Sequence, residues 1–157
     1  MLTHPLHLDF KTETETADFA ARLAANLDPG DTILLSGPVG SGKTHFARSL
    51  IQAILQIPED VPSPTFTLVQ TYETTRGSLW HSDLYRLTST FEVEELGLPE
   101  AFETAICLIE WPDRLGDTTP INALSLSFSQ GADENHRTVT ASWNDSQWEK
   151  KMAIWMT

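Results

Sequence analysis

Residues 32–46 read TILLSGPVGSGKTHF. The opening TILLS is a short apolar run with a β-branched start, the pattern of a buried central strand. Gly37 to Thr44 then satisfies G-x-x-x-x-G-K-[ST], and HFARSLIQAIL carries Phe46, Leu50 and Ile54 at every fourth position, which predicts a helix running until Pro58. In such a loop the glycines let successive backbone N–H groups turn inward, and the helix N-terminus adds its positive dipole end. The lysine bridges the β and γ phosphates of a nucleoside triphosphate, and the threonine hydroxyl ligates Mg2+. A chance match in a chain of this length has a probability on the order of half a percent. The flanking strand and helix favour the phosphate cradle over a plain glycine turn.

The remaining elements follow from periodicity. PLHLDF (5–10) alternates as a half-buried strand, and TETADFAARLAANL (14–27) sets Phe19, Leu23 and Leu27 on one helical face before Asp28-Pro29-Gly30 breaks it. The proline-rich IPEDVPSPTF (57–66) is an extended loop. TLVQTYE and SLWHSD, around a turn at Arg76-Gly77, read as paired strands. Residues 89–103 read as short acidic helices with Ser89 or Thr90 as cap. AICLIE (105–110) is a second buried strand ending in a carboxylate, and LSLSFS (124–129) and HRTVTASW (136–143) pair as a hairpin or meander. In the tail, Ser146 and Glu149 have capping-box spacing, and Trp148, Met152 and Trp155 form an apolar stripe read as core packing. Strands alternating with helices around a central glycine loop predict an α/β class, and no linker or repeat divides residues 1–157, which read as a single domain.

Ten Lys and Arg against 22 Asp and Glu give a net charge of −12. A phosphate backbone would meet repulsion, so direct binding of DNA or tRNA is not expected and any role in RNA biology would run through a partner. The apolar runs are too short to span a bilayer and no secretory signal is visible at the start. The single Cys107, within an apolar run, reads as a buried core residue, and together these features favour a cytoplasmic, non-membrane protein.

Chemistry beyond the loop needs further oxygen ligands for Mg2+ and a group that positions water. Asp83 and Glu110 both follow apolar strands, at the sheet end where an α/β fold places its site. Each reads either as a metal or water ligand or as a solvated strand end. His81 alternates with Asp83 on one strand face and reads as structural or as a hydrogen-bonding neighbour of the site. Ser63-Pro64-Thr65 reads as a γ-phosphate-sensing segment or as an ordinary turn.

Five segments in order, GPVGSGKT, SPTFTLV (63–69), HSDLYRL (81–87), EELGLPE (94–100) and ICLIEWPDRL (106–115), give the chain a resemblance to the bacterial TsaE (YjeE) ATPases, over roughly residues 5–140. Those proteins are needed to make threonylcarbamoyladenosine beside the anticodon of certain tRNAs. The resemblance implies a three-layer P-loop NTPase-like fold, a central mixed β-sheet flanked by helices. It also implies a Mg2+-dependent ATPase with ATP as nucleotide, slow in isolation, acting on a TsaD-like threonylcarbamoyl transferase and its TsaB-like paralogue.

By the same resemblance Pro38, Val39, Gly40, Ser41, Gly42, Lys43 and Thr44 wrap the phosphates, and Thr65 is a switch-like contact to nucleotide or metal. Asp83 holds Mg2+ through water, Glu110 is a metal ligand or a water-orienting carboxylate, and Trp111 packs at the nucleotide. Thr16 is the match for a base-approaching threonine, and Arg137 for a nucleotide-contacting arginine. The family commonly has Asp and Leu where this chain has Pro38 and Val39. Pro38 removes one early N–H, but the inner donors lie at Gly40 to Thr44, so binding is expected to survive.

Three other classes of protein share such a loop. A small-molecule kinase would carry an arginine-bearing lid, whereas FEVEELGLPE is acidic. A GTPase would carry Asn-Lys-x-Asp, which no lysine here provides. A non-enzymatic protein would bind nucleotide for assembly only.

Overall fold

The computed structural model describes residues 5–65 and 67–153. The chain runs β1 (Leu6–Phe10), α1 (Glu13–Ala24), β2 (Thr32–Ser36), α2 (Lys43–Ile54), β3 (Val69–Thr74), β4 (Gly77–Asp83), α3 (Thr90–Glu95) and α4 (Leu98–Thr104). It continues with β5 (Ile106–Glu110), a 3-10 segment (Pro112–Thr118), β6 (Leu124–Gln130), β7 (Arg137–Trp143) and α5 (Gln147–Ala153). The strands form one mixed sheet in the order β1-β7-β6-β2-β5-β4-β3. β2 is parallel to both β5 and β6, and β5 is parallel to β4. The β3–β4, β6–β7 and β1–β7 pairs are antiparallel.

Helices cover both faces, which is why β2 and β5 are apolar at successive positions where an edge strand alternates. Ile33 and Leu35 of β2, with Ile106 and Leu108 of β5, enter one core with Phe19 and Leu23 of α1, Phe46 and Leu50 of α2, and Trp148 and Met152 of α5. Leu34, Cys107 and Ile109 point the other way, against Val93 of α3, Leu98 and Phe102 of α4 and Leu115 of the 3-10 segment. The result is the three-layer α/β arrangement of a P-loop NTPase-like fold. Each large apolar side chain in these faces contributes roughly 1.5–3 kcal/mol on burial.

Local chemistry sets the element ends. Thr12 caps α1 in a reciprocal box with Glu15. α2 stops at Ile54 rather than at Pro58, because Leu55 turns out to bridge Thr74 of β3 and the chain leaves along the sheet. Ser89 occupies the N-cap of α3 but its side chain makes no cap bond there; Thr88 Oγ1 bonds Glu92 Oε1 at 3.1 Å. At α5 the side chain meeting the first turn is Asp145, whose Oδ1 accepts from Gln147 N at 3.0 Å, while Glu149 N reaches the backbone carbonyl of Ser146. Trp148 and Met152 of the tail stripe are buried, and Trp155 lies outside the described residues. Among the described residues no helix is long and apolar enough to cross a membrane.

Candidate nucleotide site

Parity along the strands positions the carboxylates. Glu110 continues the Ile106–Leu108 face of β5, and Asp83 with His81 continues the Leu79 face of β4, so all three side chains lie on the side of the sheet that carries α2. The parallel register sets Asp83 opposite Glu110. Strand alternation brings to one place residues that are far apart in sequence.

The loop between β2 and α2 turns on glycines. Gly37 has φ +135, and a Cβ there would stand 2.4 Å from the Phe128 carbonyl oxygen of β6. Gly42, at φ +103, is the N-cap of α2, and a Cβ would meet Arg137 Nε at 3.1 Å. Side chains are excluded by conformation at both positions and by space at the first. The first N–H groups of α2 have no intrahelical acceptor by helix geometry, and here they face a cavity.

Lys43, only 5% exposed, donates from Nζ to the Gly37 carbonyl at 2.5 Å and lies 3.8 Å from the Trp111 ring centroid. Burial pulls its ammonium below its ordinary pKa, while Glu110, Asp83 and Asp113 act in the opposite direction. Trp111 is held at φ +59, a left-handed conformation that costs a non-glycine residue about 1–3 kcal/mol. That turn, with Trp111 N donating to Leu35 O, sets the indole against Lys43, and Tyr85 packs on it with ring centroids 4.9 Å apart. The Thr44 hydroxyl donates to Glu110 Oε1 at 2.9 Å, and His81 Nε2 bonds Glu110 Oε2 at 2.7 Å. Asp83 accepts from Tyr85 N on Oδ1 at 3.0 Å and from the Thr65 hydroxyl on Oδ2 at 3.3 Å.

These groups surround a cavity of about 510 Å3. It is lined by Val39, Gly40, Gly42, Lys43, Thr44, Thr65, Asp83, Glu110, Trp111 and Arg137 of the sequence candidates, together with His45 and Tyr85. Three candidates do not line it. Pro38 is exposed, its carbonyl accepting from Ser41 N. The buried Ser41 hydroxyl makes no hydrogen bond within the protein, and the buried Thr16 hydroxyl donates to the Thr12 carbonyl at 3.3 Å within α1. His45 and Tyr85 were not singled out in the sequence. His45 is signalled only by following Thr44 in the first turn of α2, and Tyr85 only by standing two residues beyond Asp83.

The donors can be tested against the groups they would take. The glycine turn and α2 N-terminus suit polyphosphate oxygens. For a cation, the available groups are the Thr44 hydroxyl and the Asp83 and Glu110 carboxylates, all hard oxygen donors. No cluster of three or more His, Cys, Asp or Glu residues capable of holding a metal occurs among the described residues. An ion shared with phosphate and water, as Mg2+ is, fits this set better than one caged by protein alone.

The profile of the family described as "Threonylcarbamoyl adenosine biosynthesis protein TsaE" matches residues 10–139. The chain is 39% identical over 142 residues to the tRNA threonylcarbamoyladenosine biosynthesis protein TsaE of Rickettsia felis, covering 89% of this chain and 81% of that protein. It is 37% identical over 132 residues to the protein of the same name from Bacillus subtilis, covering 83% and 82%. The crystal structure of Bacillus subtilis YdiB superposes with a TM-score of 0.77 at 28% identity, over 94% of this chain and 91% of that one. A glycine cradle, a strand-end carboxylate pair and a sequence match over most of the length thus agree, and the chain belongs to the TsaE family of threonylcarbamoyladenosine biosynthesis proteins.

Proposed function

We propose that this chain is a cytoplasmic Mg2+-dependent ATPase whose hydrolysis resets a TsaD-like transferase and its TsaB-like paralogue between rounds of tRNA modification. The observation that carries the reading is the convergence, in one cavity with Lys43, of two strand-end carboxylates, Glu110 on the Thr44 hydroxyl and Asp83 on the Thr65 hydroxyl. A simple nucleotide-holding module needs the cradle alone; carboxylates facing it add the means to position water. Lys43 would bind the phosphates, Thr44 and Asp83 would hold the cation, Glu110 would join them at the cation or orient the water, and Arg137 and Trp111 would contact the nucleotide. Mg2+, when bound, supplies positive charge to the phosphate oxygens. Thr65, tied to Asp83, makes the proline loop responsive to what occupies the cavity.

The net charge of −12 supports contact with tRNA through a basic partner rather than directly. The test is phosphate release from ATP by the chain alone and with the transferase pair. Slow, Mg2+-dependent release to water that changes when the pair is added supports the reading. Transfer of the phosphoryl group to a small-molecule acceptor would replace it with the kinase reading.

A further inference from the structure

Glu110 is 2% exposed, and its carboxylate is gripped on both oxygens. The Thr44 hydroxyl holds Oε1, and the fully buried His81 holds Oε2 from the neighbouring strand. Among the described residues the His81 side chain makes no other hydrogen bond, its buried Nδ1 being unmatched. A polar ring in a β4 position continuous with buried Leu79 is expensive unless its one bond matters. Since a carboxylate can only accept, Nε2 must be the protonated nitrogen, and the bare Nδ1 lone pair is the less costly atom to leave unmatched.

We infer that His81 is a positioning residue: by holding Oε2 it fixes the Glu110 rotamer and keeps Oε1 on the Thr44 hydroxyl, where cation and water are handled. This rests on the ATPase reading of the site. Glu110 and Lys43 line the same cavity, so an untethered carboxylate has a competing place to go. The close contacts of Lys43 are the Gly37 carbonyl and the Trp111 ring, as a tethered Glu110 allows. His81 touches neither the cavity nor the reacting atoms and acts only through Glu110.

Two amides separate positioning from packing. In His81→Gln the side-chain NH2 falls near the Nε2 place and keeps the donor; in His81→Asn it falls near Nδ1 and cannot reach Oε2. The readouts are ATP affinity with Mg2+ and with chelator, the Mg2+ concentration giving half-maximal hydrolysis, and thermal stability. The expected result is that Gln stays within about threefold of the parent, while Asn raises the Mg2+ requirement about 10–100-fold with chelator-condition ATP affinity unchanged. In a Glu110→Ala background, where no side chain is left to be held, Asn adds less than about twofold to the Mg2+ dependence of ATP binding. Equal effects of Asn and Gln, or an undiminished Asn effect in that background, would overturn the inference while leaving the ATPase reading in place. Absence of any Mg2+ dependence in the parent chain would overturn both. Histidine 15N NMR of the parent chain gives an answer that needs no variant: the Nε2–H tautomer at His81 supports the assignment and the Nδ1–H tautomer contradicts it.

Discussion

Glutamine at position 110 separates what Glu110 does for the fold from what it does for chemistry. Both oxygens of the native carboxylate are bonded, at 2.9 Å to the Thr44 hydroxyl and at 2.7 Å to His81 Nε2. A glutamine amide keeps both links: its oxygen accepts from His81, and its NH2 donates to the Thr44 oxygen once that hydroxyl rotates. Two charge-assisted bonds become neutral ones, a loss of about 1–3 kcal/mol in all, and relief from burying a charge offsets much of it. Glu110→Gln should therefore stay within about 1 kcal/mol of the parent. Glu110→Ala removes both acceptors and strands a buried histidine N–H donor, which should cost about 1–3 kcal/mol with no amide left to offset it. Urea unfolding reads both numbers from the midpoint at constant m. Hydrolysis should fall in both variants by roughly 100-fold or more, the range for losing a general base or water-orienting group, with ATP binding retained in the glutamine form. The reasoning fails if glutamine destabilises as much as alanine, or if it keeps most of the hydrolysis.

Gly40 and Gly37 should respond differently to alanine. Gly40 has φ +81 with open space around a Cβ, so Gly40→Ala should cost only about 1–2 kcal/mol of left-handed backbone strain. Gly37 adds a 2.4 Å collision with the Phe128 carbonyl and should unfold at clearly lower urea than the Gly40 variant. Burial pushes the Cys107 thiol from an ordinary 9.0 up to about 12. Above pH 9 the unfolded thiol ionises while the folded one does not. Its contribution to stability is therefore full below pH 9 and lost as pH rises through 12, up to about 4 kcal/mol at 1.36 kcal/mol per pKa unit. Cys107→Ala should flatten that part of the stability–pH curve; an unchanged slope would contradict the burial argument.

Much of the fold was legible because it rests on local pattern. The unbroken apolar runs of β2 and β5 announce strands covered on both faces, and the helix faces of α1 and α2 repeat with the right period. What stayed hidden depends on register and on backbone between distant segments. The setting of Asp83 opposite Glu110 follows from parallel pairing of β4 with β5, and no spacing in the sequence encodes it. Trp111 reaches Lys43 through a left-handed residue that carries no glycine to mark it. The early end of α2 is set by a bridge from Leu55 to Thr74, a contact between segments that the apolar repeat cannot see. His81 was ambiguous for the same reason, since its role depends on a side chain 29 residues away.

The central claim is that the triphosphate is hydrolysed for a partner's benefit. The direct measurement is tRNA threonylcarbamoyladenosine formation over many turnovers with the transferase pair, comparing the parent chain and Glu110→Gln, after ATP binding by both has been established. The account predicts continued turnover with the parent chain and arrest after about one round with Glu110→Gln. Full multiple-turnover modification by Glu110→Gln would mean that nucleotide serves assembly alone, and would contradict it.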